Sequence, residues 1–435
     1  MGRIKKLFFF FLLASLLNGA GPILVDTEKT GRAIVWKDQM VRYNPETGDE
    51  GGLGRLSNEE ALDLLRGLFS DWQEVTIDGI SVANFSVVEG EGLGSVSASN
   101  VDDHFTYCPP SESCSGEDPP FVLGSAKSGA SPVIFDTDGS ITDLIQGQGA
   151  KKSVLGFAGP RVLDEVDGIQ VIVEGQAVLN GIFIDCPEGA SATDDCQSPE
   201  VSLNSYKGVI FHEIGHFLGL DHSQVNLSSA LKALSGDGSE LDGIPTMFPI
   251  LIDGEAQSTP HYDDIVSLAS LYPSSNLDRS FCTLEGTVYK ADQTTELQGV
   301  NVVARRVDNP FAESTSFVSG QLYTGDHSNC NAPEGGFSIH GLIPGVDYTL
   351  SVEKISRAFT GGSSIEPCDP PQSGFQEKTV LGTFSCSSAG QTISAGTDAT
   401  TTIVTTKGAT TSGTDGTDDS TEDFAGEGSG CSLIR

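Results

Sequence analysis

The 435-residue chain has little positive charge, and this scarcity excludes whole classes of partner. It carries 24 Lys and Arg against 60 Asp and Glu, which gives a formal net charge of −36 at pH 7. Such a charge repels nucleic acids and anionic membranes, because both are themselves negative. We therefore expect neither as a partner. An acidic surface that keeps an exported protein dispersed accounts for the charge without any specific ligand.

Long apolar runs are also scarce. One run, Leu7–Leu17, follows three basic residues and precedes the small residues Gly19, Ala20 and Gly21. This layout predicts a secretory signal peptide over residues 1–20, so we expect a secreted, extracellular protein, with or without attachment to the cell surface. No run reaches the ~18 apolar residues of a membrane-crossing helix, so no stable membrane span is expected.

Nine cysteines in a chain expected to be exported predict disulfides. The close pairs Cys108/Cys114 and Cys186/Cys196 would each close a small loop. The pairing of the other cysteines is left open by their spacing. An odd count leaves one thiol over, and Cys431 in the C-terminal tail is our candidate.

The pattern of apolar residues predicts a mixed α+β domain over residues 21–275. Helices are expected at 57–72, where Ser57 and Glu60 form a capping-box pair, and at 204–219. Between them lie short strand-like stretches bounded by glycines. Residues 100–132 are rich in Pro, Ser, Gly and Asp, and we interpret them as an irregular insertion.

A second unit is predicted from residue 281 onwards. Short alternating stretches separated by turns, such as Leu284–Tyr289 and Tyr348–Val352, favour an all-β sandwich over residues 281–406. Residues 407–435 are dominated by Thr, Ser, Gly and Asp, a composition that cannot bury a core, and we expect a disordered tail there.

The chemistry of the chain is concentrated in the segment from His212 to His222. On a helix, His212 and His216 lie four residues apart and face the same side, so both can bind one metal ion. Glu213 can reach a water on that ion, and Gly219 permits the left-handed turn that returns His222 as a third ligand. Three histidines leave a fourth position open, which is typical of catalytic rather than structural Zn²⁺. The sequence therefore predicts one catalytic zinc.

This extended motif resembles that of the metzincin metallopeptidases. Met247, within Pro245–Pro249, fits the tight methionine turn that supports the metal site in that family, and Ser223 after the third histidine is similar to the matrixin branch. Asp263 and Asp264 resemble acids that support the methionine turn in matrixins; alternatively, they are a solvated helix start. The resemblance implies a metzincin fold, a mixed twisted sheet with an active-site helix.

The activity implied is that of a zinc-dependent endopeptidase acting on extracellular proteins or peptides, with Glu213 as general base and acid. Two features of matrixins are not expected. No matrixin-type cysteine switch precedes the domain, and only His104 is available before the motif helix for a second, structural zinc.

A further cation site is conceivable at Asp136, Asp138 and Asp143. These carboxylates surround a glycine, and oxygen ligands of this kind suit Ca²⁺. A plain Asp-Gly turn explains the same residues more simply, and we favour it.

The second unit resembles the carboxypeptidase regulatory-like β-sandwich, on Leu284–Tyr289 and Gly335–Gly345. That likeness implies a spacer, a stabilising element or a binding module, including contact with a surface or polymer. It leaves an alternative function open, in which the metal domain is catalytically vestigial and the sandwich mediates surface adhesion or matrix binding. No feature favours a metal-dependent hydrolase acting on a non-peptide bond.

Overall fold

The computed structural model describes residues 21–26, 31–48, 52–105, 129–185, 201–238, 241–290, 294–320, 335–355, 378–395, 404–405 and 432–434. The helices are α1 (Asn58–Gln73), α2 (Ser140–Gln146), α3 (Leu203–Leu218), α4 (Leu227–Leu234), α5 (Tyr262–Leu271) and α6 (Leu277–Ser280). The strands of the first domain are β1 (Met40–Pro45), β2 (Thr76–Ile77), β3 (Ile80–Ser81), β4 (Ser86–Glu89), β5 (Pro132–Asp136), β6 (Val154–Val166) and β7 (Ile169–Asn180). The later strands are β8 (Cys282–Thr287), β9 (Tyr289–Lys290), β10 (Asn301–Arg306), β11 (Ser314–Val318), β12 (Gly336–Leu342), β13 (Tyr348–Glu353), β14 (Lys378–Phe384), β15 (Thr392–Ala395), β16 (Val404–Thr405) and β17 (Ser432–Ile434).

A mixed six-stranded sheet organises the first domain. Its strand order is β17-β6-β7-β5-β1-β4. The pairs β4/β1, β1/β5 and β5/β7 are parallel, whereas β6 runs antiparallel to β7 in a long hairpin and β17 runs antiparallel to β6. The expected α+β domain with a mixed sheet is confirmed at this level.

Both faces of this sheet are covered, so its strands alternate between two cores. Phe135 and Leu179 pack into the larger core with α1 and α3, whereas Ile134 and Val178 pack on the opposite face with α2. Alternate residues of a strand point to opposite faces, which explains the division. The sheet thereby provides a rigid base for α3, the helix with the metal-binding motif.

Helix α1 forms where the sequence predicts it. The Ser57 side chain accepts from the backbone N–H of Glu60, and the Glu60 carboxylate accepts from the backbone N–H of Ser57 at 2.9 Å. This reciprocal pair satisfies two N–H groups that a helix start would leave unbonded. Trp72, on the buried face, donates from its indole nitrogen to the Phe211 carbonyl oxygen at 2.9 Å and so fixes α1 against α3.

Several details of the first domain differ from the sequence-based expectation. The apolar residues 177–184 look like one further strand in the sequence, but β7 ends at Asn180 and Gly181–Ile184 turn into a 3₁₀ helix. Part of the expected insertion, residues 100–132, is buried: Val101 and Phe105 are 0% exposed and belong to the core beneath α2. Composition alone gave no indication of those two anchors.

The second domain is a sandwich of two small sheets. One has the order β11-β10-β13-β14 and the other β12-β8-β15. Between them lies an apolar core that includes Leu284, Val302 and Leu350. A disulfide joins Cys282 of β8 to Cys386, a pairing that the sequence left open. Strands β11, β14 and β15 were not predicted.

Some expectations fall outside the described residues. They are the signal peptide over 1–20, the pairs Cys108/Cys114 and Cys186/Cys196, and most of the tail. Within the tail, however, β17 forms a strand where we expected disorder. Across the part of the chain that the structure describes, no helix has the length and apolarity needed to cross a membrane.

Breaking the Cys282–Cys386 disulfide should destabilise the sandwich by about 3–5 kcal/mol, because the bond closes a loop of 104 residues. The double variant Cys282→Ser/Cys386→Ser is expected to lower the unfolding midpoint in urea. Mass spectrometry of a non-reduced digest should recover a peptide pair joined through these two cysteines. A digest that links either cysteine to a different partner would contradict the pairing.

Candidate metal centre

Helix α3 carries the first two histidines of the motif. It begins after Ser202, whose hydroxyl accepts from the Ser205 N–H at 3.0 Å, and it ends at Leu218. His212 and His216 lie one turn apart with ring centroids separated by 4.6 Å, and both are 0% exposed. The predicted helix therefore presents two imidazoles on its buried face.

The third histidine arrives through a turn at Gly219. This residue has φ of +100°, a left-handed conformation that costs glycine little, and its N–H bonds to the carbonyl oxygens of Gly215 and His216. The chain then reverses, and His222 comes to lie 4.6 Å from His216 and 5.2 Å from His212, measured between ring centroids. The turn that the sequence predicts is the one observed.

The ring nitrogens of these histidines meet at one point. Nδ1 of His212 donates to the Thr246 carbonyl oxygen at 2.7 Å, and Nδ1 of His216 donates to the Leu220 carbonyl oxygen at 2.8 Å. In a neutral imidazole the other nitrogen then carries a lone pair. Nε2 of His216 lies 3.2 Å from Nε2 of His222, and one ligand atom from each of the three histidines falls within 4.8 Å of the others.

The three histidines are held neutral by their surroundings. Burial lowers the pKa of His212 to about 4 and lowers the pKa values of His216 and His222 well below the usual value. Neutral imidazole is the form that binds metal ions. In addition, Nε2 of His212 is buried and has no hydrogen-bond partner among the described residues. An unpaired, buried acceptor beside two more imidazoles is what a cation would satisfy.

Glu213 lies on the same helix as the first two histidines and against the sheet. It is 0% exposed and follows His212 directly on α3. A Cβ at Gly156 of β6 would approach its Cγ to 3.0 Å and its Oε1 to 3.3 Å, so Gly156 leaves just enough room for the carboxylate. Strand β6 therefore passes directly beside Glu213.

Met247 lies beneath the first two histidines. It is 0% exposed, and its sulfur lies so close to Gly215 that even a Cβ there would collide with it. The Met247 carbonyl oxygen accepts from the Ser223 N–H at 2.7 Å, which ties this turn to the residue after His222. Met247 thus constrains both α3, through its contact with Gly215, and the loop that carries His222, through its bond to Ser223.

Asp264 of α5 holds this turn in place. Its carboxylate accepts from the N–H groups of Thr246 at 2.9 Å, Met247 at 3.1 Å and His261 at 2.8 Å. Burial raises its pKa to about 6. The contact matters for the metal centre because Thr246 supplies the carbonyl that orients His212.

Asp263 connects the same region to the second domain, a link that sequence reasoning missed. Its carboxylate accepts from the Ser223 hydroxyl at 2.5 Å and from the Ser316 N–H of β11 at 2.6 Å. Nearby, the Tyr262 hydroxyl donates to the Gly341 carbonyl oxygen at 2.6 Å. Asp263 and Asp264 are 1% and 0% exposed, so the alternative of a solvated helix start is wrong.

The three aspartates considered for calcium act as local caps. Asp136 accepts from the N–H groups of Ile141 and Thr142 at the start of α2, Asp138 accepts from the Ser140 N–H, and Asp143 accepts from the N–H groups of Gly149 and Lys151. Gly139 takes φ of +72° in the intervening turn. Among the described residues, His212, His216 and His222 form the one group of three or more ligand residues that converges. The calcium hypothesis gains no support, and the favoured turn is present.

These three buried histidines can hold a metal ion. Comparison of the chain with protein-family models and with curated proteins finds no match to either. The case for a function consequently depends on the chemistry of the site.

Replacing any one of the three histidines with Ala should weaken zinc binding at least about 100-fold, since losing even a group that only hydrogen-bonds to a metal ligand costs about 10–100-fold. Wild type is expected to retain about one zinc per chain after dialysis, measured by atomic emission. His340→Ala is the matched control, because His340 lies in the sandwich and bonds to Thr283. Zinc retained equally by all four variants would show that the ligands lie elsewhere.

Two replacements of Asp263 separate the contribution of its hydrogen bonds to stability from that of its ionisation. Asp263→Ala should cost about 2–3 kcal/mol of unfolding free energy, because the Ser316 N–H loses its buried acceptor. Burial raises the pKa of Asp263 to about 7, so the carboxyl favours folding below its unfolded pKa and that contribution is lost as pH rises through 7. The cost of Asp263→Asn, which cannot ionise, should accordingly be more than about 1 kcal/mol larger at pH 4 than at pH 8. A cost independent of pH would refute this assignment.

Proposed function

We propose that this chain is a secreted, zinc-dependent endopeptidase of the metzincin type, in its matrixin-like branch. The observation that carries the proposal is the convergence of three neutral, buried imidazoles with a glutamate next to the first of them on the same helix. Its substrates are extracellular proteins or peptides.

Zinc is the metal that fits these residues best. Three neutral nitrogen donors suit Zn²⁺, whereas Ca²⁺ and Mg²⁺ prefer oxygen ligands. His212 and His216 each donate their Nδ1–H to a backbone carbonyl, an arrangement that fixes ring orientation and increases the basicity of the ligating Nε2. Three protein ligands leave a coordination position for water or substrate.

The reaction then follows from the placement of Glu213. Bound zinc would supply a Lewis acid that polarises the scissile carbonyl and acidifies a water. The Glu213 carboxylate would accept a proton from the attacking water and return it to the leaving amine. The helix fixes Glu213 one residue from His212, so base and ligand move as one unit.

The metzincin assignment is supported by the surroundings of the histidines. The turn at Gly219, the buried Met247 beneath the helix and the bonds of Asp264 to that turn match the resemblance in the sequence. The sandwich has no role in the chemistry. Its bond to Asp263 from Ser316 supports a stabilising role for this carboxypeptidase regulatory-like unit.

The main rival is a vestigial metal domain with adhesion or matrix binding by the sandwich. A site that had lost its function would be free to lose a ligand, the base or the supporting acids, yet all are present and buried. The adhesion hypothesis also gives no reason for the buried Nε2 of His212 to have no hydrogen-bond partner. Deleting the sandwich is a poor test, because it would also expose Asp263.

Glu213→Gln tests the proposal directly. The variant should bind zinc as wild type does but cleave a peptide library about 10²–10⁴-fold more slowly, since it lacks the group that moves the proton. Chelation should abolish wild-type cleavage and added zinc should restore it. Glu59→Gln, an exposed change on α1, is the matched control.

The readout should use protein both with and without residues 432–435, because Ser432–Ile434 pairs with β6 where that strand passes beside Glu213. Wild type that holds about one zinc per chain yet cleaves no peptide in either form would falsify the peptidase proposal.

A further inference from the structure

The candidate metal centre is closed in this structure. His212, Glu213, His216 and His222 are all 0% exposed. A hydrolytic site needs an open position that a substrate can reach. The arrangement of ligands therefore requires access that the observed conformation denies, and some part of the chain must move before a peptide can enter.

One described segment lies on the sheet edge that borders Glu213. Strand β17, Ser432–Ile434, pairs antiparallel with the outer side of β6, with Ser432 opposite Phe157, Leu433 opposite Gly156 and Ile434 opposite Val154. Gly156 is the residue that lies against Glu213. Paired strands lie about 4.8 Å apart, so the backbone of Leu433 lies one strand spacing from the residue that contacts the base.

The same edge is a general docking surface for an extended peptide. A sheet edge presents unpaired N–H and C=O groups, and a peptide that adds a strand gains affinity from backbone hydrogen bonds. The inner side of β6 is taken by β7, whose Leu179 pairs with Gly156. Within the described residues, the outer side is occupied by β17 alone.

We infer that Ser432–Ile434 is an intramolecular occupant of the β6 edge and excludes other extended peptides from it. The inference builds on the proposed function, because it identifies this edge as the place where substrate peptides compete. Because Ser432–Ile434 is part of the same chain, its binding to the β6 edge is favoured. The effective concentration of a tethered segment is commonly on the order of millimolar. A free peptide must exceed that concentration, or bind more tightly, to displace it.

The pairing also agrees with the composition of the tail that precedes Ser432–Ile434. Composition predicts no core for residues 407–430, so the apolar pair Leu433 and Ile434 at its far end has no local partner in sequence. Strand pairing gives those residues a place on the sheet without requiring order in the residues between.

Removal of the segment tests the inference with a binding readout that needs no catalysis. The probe is a fluorescent peptide of residues 428–435 carrying Cys431→Ser, so that no thiol can bind the metal. It is added to the zinc-loaded, full-length Glu213→Gln protein and to the same protein lacking residues 432–435. We expect the shortened protein to bind the probe at least about tenfold more tightly, because its edge is vacant.

Two controls separate edge pairing from general effects of shortening. Deletion of four tail residues, 414–417, keeps the segment and should leave probe binding as weak as in the full-length protein. A probe that also carries Leu433→Pro and Ile434→Pro lacks backbone N–H groups needed for strand pairing and should bind the shortened protein more weakly.

Hydrogen exchange supplies the second readout. Backbone amides of Val154–Phe157 should exchange at least about tenfold faster once residues 432–435 are removed. Equal probe affinity together with equal exchange in the two proteins would overturn the inference. Probe binding and exchange could change while the full-length and shortened proteins that keep Glu213 both fail to cleave peptides. That result would support the edge inference and refute the peptidase proposal.

Discussion

The structure depends on bringing three imidazole rings together in the protein interior. A buried polar atom without a partner costs about 1–3 kcal/mol, and Nε2 of His212 has no hydrogen-bond partner among the described residues. Burial keeps His212, His216 and His222 neutral, so charge repulsion does not separate them. A cation bound by the three histidines would offset the remaining cost. The polypeptide must hold this arrangement before the cation arrives, and much of the surrounding structure serves that purpose.

A series of hydrogen bonds connects the histidines to α5 and then to the second domain. The Thr246 carbonyl orients His212, and Asp264 holds the turn that contains Thr246. Asp263, the preceding residue, accepts from Ser316 of the sandwich. The second domain is thus joined to the metal centre through adjacent residues of α5. Loss of sandwich stability should reach the histidines, although no sandwich residue has a place in the proposed chemistry.

The sequence predicted the parts of this site that are local. Ligands four residues apart on a helix, a glycine that permits a left-handed turn and a capping box at Ser57 each depend on neighbours within one or two turns. The bond between Asp263 and Ser316 joins residues 53 positions apart, and its partner strand β11 was not predicted at all. Likewise, the tail composition concealed β17, because strand pairing uses backbone groups that every residue carries. Non-local register was the missing information.

In the long β6–β7 hairpin, the outer side of β6 must be accessible to a substrate peptide and must also be protected from pairing with other chains. A peptidase that binds extended peptides through backbone bonds needs an accessible edge strand close to its base, and Gly156 provides that closeness. An exposed edge also invites pairing with other chains and aggregation. An internal occupant meets both requirements, because it covers the edge while remaining replaceable by a peptide that pairs more strongly. The occupant lies opposite Gly156, so the part of the edge that it covers is the part that lies against Glu213.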